Sequence, residues 1–201
     1  MKEIIPGIFT WPWFSERHGY DFNGWLLRDA AGNLCVDPVE MPDDVLEAIA
    51  REGASRIILT NRNHVRASAK VRARTGARVA IHPADADYAR SQGAQIDEDL
   101  AHGQRLGSFV VIPATGKSPG EVALHDPARR MLVVGDACVG KPPGGLALLP
   151  AKVIDDLPDL QRSLRRIAEE IDFDVLLPGD GAPILSNART ALRALCATFL
   201  A

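Results

Sequence analysis

The sequence predicts one domain of α+β or α/β type, with helices covering β-sheet. Three observations carry this. Strand-like runs and a hairpin signal fill roughly the first forty residues. From residue 42 onward, helical segments alternate with short apolar strands. The chain has 201 residues, of which 46% are hydrophobic, enough for a single substantial core over residues 1–201. Neither repeats, nor a low-complexity tract, nor a linker interrupts it.

The elements follow in order. EIIPGIF (residues 3 to 9) reads as one short strand, confined to a sheet edge by Pro6. Residues 9 to 25 hold Phe9, Trp11, Trp13, Phe14, Tyr20, Phe22 and Trp25, without a helical period. This aromatic arm is open to three readings: lid, interface or core. NGWLLRD and NLCVDPV, joined through Asp29 to Asn33, read as a hairpin. PDDVLEAIAREG is a helix with Pro42 and acidic residues at its start and Gly53 past its end. RIILT is a buried strand, followed by a helix from about residue 66 to Thr75 that Gly76 stops. ARVAIHP is a strand, and residues 84 to 105 combine a short helix with a loop. SFVVIPA and EVALHD are strands around the turn TGKSPG. RRMLVVGDA is a strand ending in Gly135-Asp136, and CVGKPPGGLALLP is a loop. DLPDLQRSLRRIAEEI is an amphipathic helix with Leu160, Leu164, Ile167 and Ile171 on its apolar face. DVLLPGDG is a strand entering a tight turn, and NARTALRALCATFL (187–200) is the last helix.

Composition narrows the function classes. A net charge of −3 argues against non-specific nucleic-acid binding. The basic run Arg62, Arg66, Lys70, Arg72, Arg74 and Arg78 reads mostly as an exposed helix face. Cys35, Cys138 and Cys196 are far apart and form no CxxC pair, which argues against a disulfide framework or thiolate zinc site. No apolar stretch approaches the roughly 18 residues a membrane span needs. Lys2 and Glu3 lead straight into a strand without a signal-peptide pattern, so a cytoplasmic location is expected.

Four strand-end segments carry polar residues beside glycine or asparagine: TNRNHVR (60–66), TGKSPGE (115–121), VVGDA (133–137) and LPGDG (177–181). In order and spacing they resemble the metallo-β-lactamase superfamily. There a strand ends in Thr-His-x-His-x-Asp-His, followed later by a Gly-His-x-Pro-Gly turn, a strand ending in Gly-Asp, and a Pro-Gly-His-Gly turn. The resemblance covers nearly the whole chain, with the early hairpin ending near Asp37. It implies an αββα sandwich: two mixed β-sheets face to face, flanked by helices, with the site at one edge.

The same resemblance places the family's metal ligands on Asn61, Asn63, Val65, Arg66, Lys117, Asp136 and Asp180. Only Asp136 keeps its residue type. Asparagine is a poor zinc ligand. Arg66 and Lys117 set cations where a dication belongs, and two unit charges about 4 Å apart repel by roughly 4 kcal/mol at an effective dielectric of about 20. The expectation is therefore no cofactor, with Arg66 and Lys117 neutralising Asp136 and Asp180 in a network that includes Asn61, Asn63 and His64. That network either plugs the old cavity or lines a pocket for a small anionic or polar metabolite.

The leading function is a metal-independent binding protein or pseudoenzyme. The first alternative is a superfamily hydrolase with a non-standard zinc, manganese or iron site from Asp37, His64, Asp136 and Asp180, with His18 in reach. The second is a structural protein dimerising through the aromatic arm. Catalysis would fall to His64, Lys117 or Asp136, with Thr60, Thr115 or Ser118 as nucleophile. Glu121 begins a strand within reach of Arg66 or Lys117.

Overall fold

The computed structural model describes residues 1–199; Leu200, the end of the expected last helix, and Ala201 lie outside the described residues. The elements are β1 (Lys2–Ile5), β2 (Ile8–Ser15), β3 (Tyr20–Leu27), β4 (Asn33–Val36), α1 (Asp43–Glu52), β5 (Ala54–Ile58), α2 (Ser68–Thr75), β6 (Arg78–Ile81), α3 (Pro83–Ser91), β7 (Glu98–Asp99), β8 (Arg105–Leu106), β9 (Phe109–Pro113), β10 (Val122–Asp126), β11 (Met131–Gly135), α4 (Leu157–Glu170), β12 (Val175–Pro178) and α5 (Ala188–Ala197).

Two sheets result. One runs β1-β2-β3-β4-β5-β6-β7, the other β12-β11-β10-β9-β8. Alternation along the strands creates three apolar layers, because successive side chains leave opposite faces. Ile8, Trp25, Leu27, Val36 and Ile58 meet Phe109, Val111, Leu124 and Val133 between the sheets. Their neighbours Phe9, Leu26, Cys35 and Ile57 face outward onto Val45, Ile49 and Val71 of α1 and α2. On the other side Leu132, Val134 and Leu176 receive Leu160, Leu164, Ile167 and Leu192 from α4 and α5. This is the αββα sandwich the resemblance implies.

Three local expectations are corrected. Residues 3 to 9 are not one strand: the backbone turns at Pro6-Gly7, where Gly7 has φ 78°, and β1 folds back antiparallel on β2. Residues 84 to 105 contain the short strands β7 and β8 as well as a helix, because each edge still offers backbone groups to pair. Of the basic run, Arg72 and Arg74 pair with Asp97 and Glu47, but Arg62 and Arg66 turn toward the site edge. Among the described residues, no helix is long and apolar enough to cross a membrane.

The site edge is where parallel strands end. β4, β5 and β6 are parallel, as are β11 and β12. Their carboxyl ends deliver Asp37, Thr60, Asp136 and Asp180 to one place. The two sheets are stitched there: the Asn23 side-chain amide donates to the carbonyls of Pro178 and Gly181, and the Trp25 indole donates to Pro178.

Candidate functional site

The centre of the site is His64, fully buried between two carboxylates. Its Nδ1 lies 2.9 Å from Asp37 Oδ2 and its Nε2 lies 3.0 Å from Asp136 Oδ1. Asp37, at φ 48°, also accepts from the Thr60 backbone at 2.8 Å and the Thr60 hydroxyl at 2.6 Å. Two glycines admit this packing. A Cβ on Gly179 would come within 2.9 Å of the imidazole. One on Gly135, at φ 56°, would come within 2.4 Å of the Thr60 hydroxyl.

Asp136 shares its other oxygen with Lys117, at 3.1 Å. The Lys117 ammonium also donates to Asn63 Oδ1 at 2.6 Å and to Asn61 Oδ1 at 3.3 Å. Glu121, fully buried, sits behind them and accepts from the Asp136 backbone at 2.8 Å and from the Asn61 amide at 3.2 Å. Arg66 approaches Asp180 at 3.6 Å and lies over the Phe22 ring at 4.6 Å. Val65, at the family's aspartate position, instead enters the outer apolar layer of the first sheet.

The structure thus brings together Asn61, Asn63, His64, Arg66, Lys117, Asp136 and Asp180. The proposed nucleophiles are elsewhere engaged: Thr60 with Asp37, Thr115 with Ser163, and Ser118 with the buried Asp85. Sequence reasoning undervalued His64 and Glu121. The signal for Glu121 was its place in the Lys117 turn, immediately after Pro119-Gly120.

Burial and mutual charge set the protonation of this cluster. Burial and the nearby Arg66 push the His64 imidazole down, but Asp136 and Asp37 outweigh them and raise it to about 9. Burial alone would raise Asp136; His64, Lys117 and Arg66 hold it well below the usual carboxylate range. Burial and then the Asp136 charge raise Glu121 to about 8 and Asp180 to about 7. Formally, three cations meet four carboxyls. A proton retained by Glu121, whose Oε2 has no hydrogen-bond partner among the described residues, balances the set.

Above this floor opens a cavity of about 880 Å³. Its cations are Arg17, Arg62, Arg66, Lys117, Lys141 and Lys152, against Asp136, Asp155 and Asp180. The aromatic arm divides among three roles. Trp11 and Trp25 are core, Tyr20 and Phe22 line the cavity with His18, and Trp13 and Phe14 are exposed at the hairpin tip.

Comparison with known proteins gives the family. The model of the metallo-beta-lactamase superfamily matches residues 1–199. A hydroxyacylglutathione hydrolase of Methylobacterium sp. (strain 4-46) is 33% identical over 181 residues, 85% of this chain and 66% of that protein. One from Fuscovulum blasticum is 34% identical over 56% of this chain and 46% of its own length. The chain therefore spans about half to two thirds of the length of these curated relatives. Among solved structures, the di-iron-bound form of TTHA1623 is 26% identical with a TM-score of 0.69, covering 94% of this chain and all of that one. A metallo-beta-lactamase from Pontibacter korlensis has a TM-score of 0.79 at 15% identity, covering 98% of each chain, and shares the fold.

The di-iron-bound relative corrects the expectation that no cofactor belongs to this site: metal is held in this fold at 26% identity. The residues present nonetheless do not fit the family's two-metal centre. Lys117 and Arg66 carry cations into it, and both His64 nitrogens are taken by carboxylates. The set Asp37, His64, Asp136 and Asp180 is not arranged around a common point either, since Asp37 is bound to Thr60 behind the imidazole. Among the described residues, no three His, Cys, Asp or Glu side chains gather as a ligand set. Fold, motif order and family model agree: the chain belongs to the metallo-β-lactamase superfamily.

Proposed function

We propose that this protein is a hydrolase that cleaves an acyl bond of a small anionic compound in the 880 Å³ cavity. One observation carries the reading: all four motif turns deliver charged or polar side chains to the floor of one cavity at the sheet edge. The relatives named hydroxyacylglutathione hydrolase support this alternative better than the pseudoenzyme reading.

The side chains divide the work as follows. His64 is sealed below the floor and holds Asp136 in place; it does not touch a substrate. Lys117 lines the cavity and stabilises the oxyanion formed when water adds to the acyl carbon. Asp180, a cavity-lining carboxylate that burial and the Asp136 charge raise to about 7, takes the proton of that water. Collapse of the tetrahedral intermediate breaks the acyl bond, and the departing group takes the proton back.

The test is a panel of anionic thioesters, esters and lactones assayed with wild type and Asp180→Asn. Cleavage of at least one, with kcat/KM falling about 100-fold or more in the variant, is expected for loss of a general base. No cleavage across the panel, or an undiminished Asp180→Asn, refutes the reading. Metal content measured on the same preparation locates the chemistry. Activity that tracks bound metal assigns it to the metal, and activity that survives chelation assigns it to the side chains.

A further inference from the structure

The whole molecule carries a net charge of −3, yet its cavity is lined by six cations and three carboxylates. The pairing is uneven. Arg62 is clamped by both oxygens of Asp155, and Lys117 is held by Asp136. Arg17, Lys141 and Lys152 have no ion-pair partner among the described residues, and Arg66 meets Asp180 only at 3.6 Å, its Nη1 finding no hydrogen-bond acceptor among them. A cleft that concentrates unpaired charge of one sign focuses its field on a ligand of the opposite sign.

Two of these cations are held in place by aromatic faces. Arg66 lies 4.6 Å from the Phe22 ring centre, and Lys141 Nζ lies 5.1 Å from that of Tyr20. Tyr20 and Phe22 are two apart on β3, so they share one face of the strand, and their ring centres are 6.1 Å apart. Neighbouring rings of one strand therefore carry a guanidinium and an ammonium, each placed over its ring before any ligand arrives. Leu148, Leu149 and Val153 give the cavity an apolar wall.

We infer that Arg66 and Lys141 form an anion clamp for the phosphate of a phosphomonoester whose organic body rests on the apolar wall. A carboxylate would bring one charge to this rim. A phosphomonoester brings nearly two at neutral pH, with three acceptor oxygens for the guanidinium fork and the ammonium. The inference deepens the proposed function by naming the substrate's anionic half, and its test reads binding rather than turnover.

Calorimetric titration of the full chain with phenyl phosphate and with benzoate tests it. Phenyl phosphate should bind about tenfold or more tighter, weaken as salt rises, and lose about tenfold in affinity in Lys141→Gln. Lys141 is exposed and its side chain makes no hydrogen bond among the described residues, so that variant keeps its unfolding midpoint; Lys152→Gln gives a second, smaller loss. Equal affinity for benzoate, or unchanged phenyl phosphate binding in Lys141→Gln, overturns the clamp. Loss of binding in Lys141→Gln without hydrolysis anywhere in the acyl panel leaves the clamp standing and removes the hydrolase. Hydrolysis with no discrimination between the two probes does the reverse.

Discussion

The floor of the cavity and its rim are built from the same residue types in opposite ways. On the floor, Lys117 and His64 are each matched to carboxylates within about 3 Å; His64 is sealed from water, and Lys117 is buried except where it meets the cavity. On the rim, Arg17, Lys141 and Lys152 reach solvent without an acidic partner among the described residues. Buried charges persist only when paired, because the interior does not solvate them. Solvated charges need no partner, so their arrangement is free to answer to a ligand. The floor ties the ends of β4, β5 and β11 together at the site edge, while the rim carries the charge on which the proposed anion clamp rests.

The largest expected effect breaks the floor. Asp136→Ala leaves both His64 and Lys117 without their shared carboxylate, and should cost roughly 3–5 kcal/mol in urea unfolding. A loss no larger than that of a typical surface substitution would mean the floor is hydrated and the contrast false.

Next comes pH. His64 is raised in the fold to about 9 from an ordinary 6.5, between Asp37 and Asp136 and near Arg66. Its contribution to stability is full below about 6.5 and drains as pH rises through about 9. Glu121 and Asp180 act in the same direction. Their folded values are raised to about 8 and about 7, so the stability gained from their neutral forms is lost as pH rises from about 4 through those values. Unfolding free energy should therefore fall from pH 6 to pH 10, less steeply in His64→Gln. A flat profile in the wild type would contradict the burial of this charge set.

Smaller effects sharpen the rim. Phe22→Ala removes the surface beneath Arg66 and should cost about 0.5–2 kcal/mol through the lost cation–π contact, with further loss from packing. Lys141→Gln should change stability by no more than about 0.5 kcal/mol. A larger loss would place Lys141 in the structural core rather than the binding rim.

The frame of this protein was legible because its signals are local. Gly76 ends α2 in a left-handed conformation, and the spacing of Leu160, Leu164 and Ile167 marks the buried face of α4. The order of the four motif turns carried the sandwich. The content of the site was only partly legible. Opposite charges at 66, 117, 136 and 180 suggested a balanced cluster, and the structure gathers those four residues. That His64 bridges two carboxylates depends on how β4 and β11 end beside β5, which no local pattern encodes. The rim was illegible for the same reason: Arg17, Lys141 and Lys152 come from a hairpin tip, a Pro/Gly-rich segment and the turn after it, which only tertiary packing brings together. The cofactor expectation failed differently. Substituted ligand positions described this chain, but they could not speak for a fold in which a relative holds two irons.

One thermal-unfolding comparison tests the division most directly: wild type, Lys117→Met and Lys141→Gln, each with and without phenyl phosphate. Lys117→Met should unfold at a markedly lower temperature, having left buried Asp136 short of a partner, whereas Lys141→Gln should keep its midpoint but lose the shift that phenyl phosphate gives the wild type. An unchanged midpoint for Lys117→Met, or a full ligand shift in Lys141→Gln, would contradict the division.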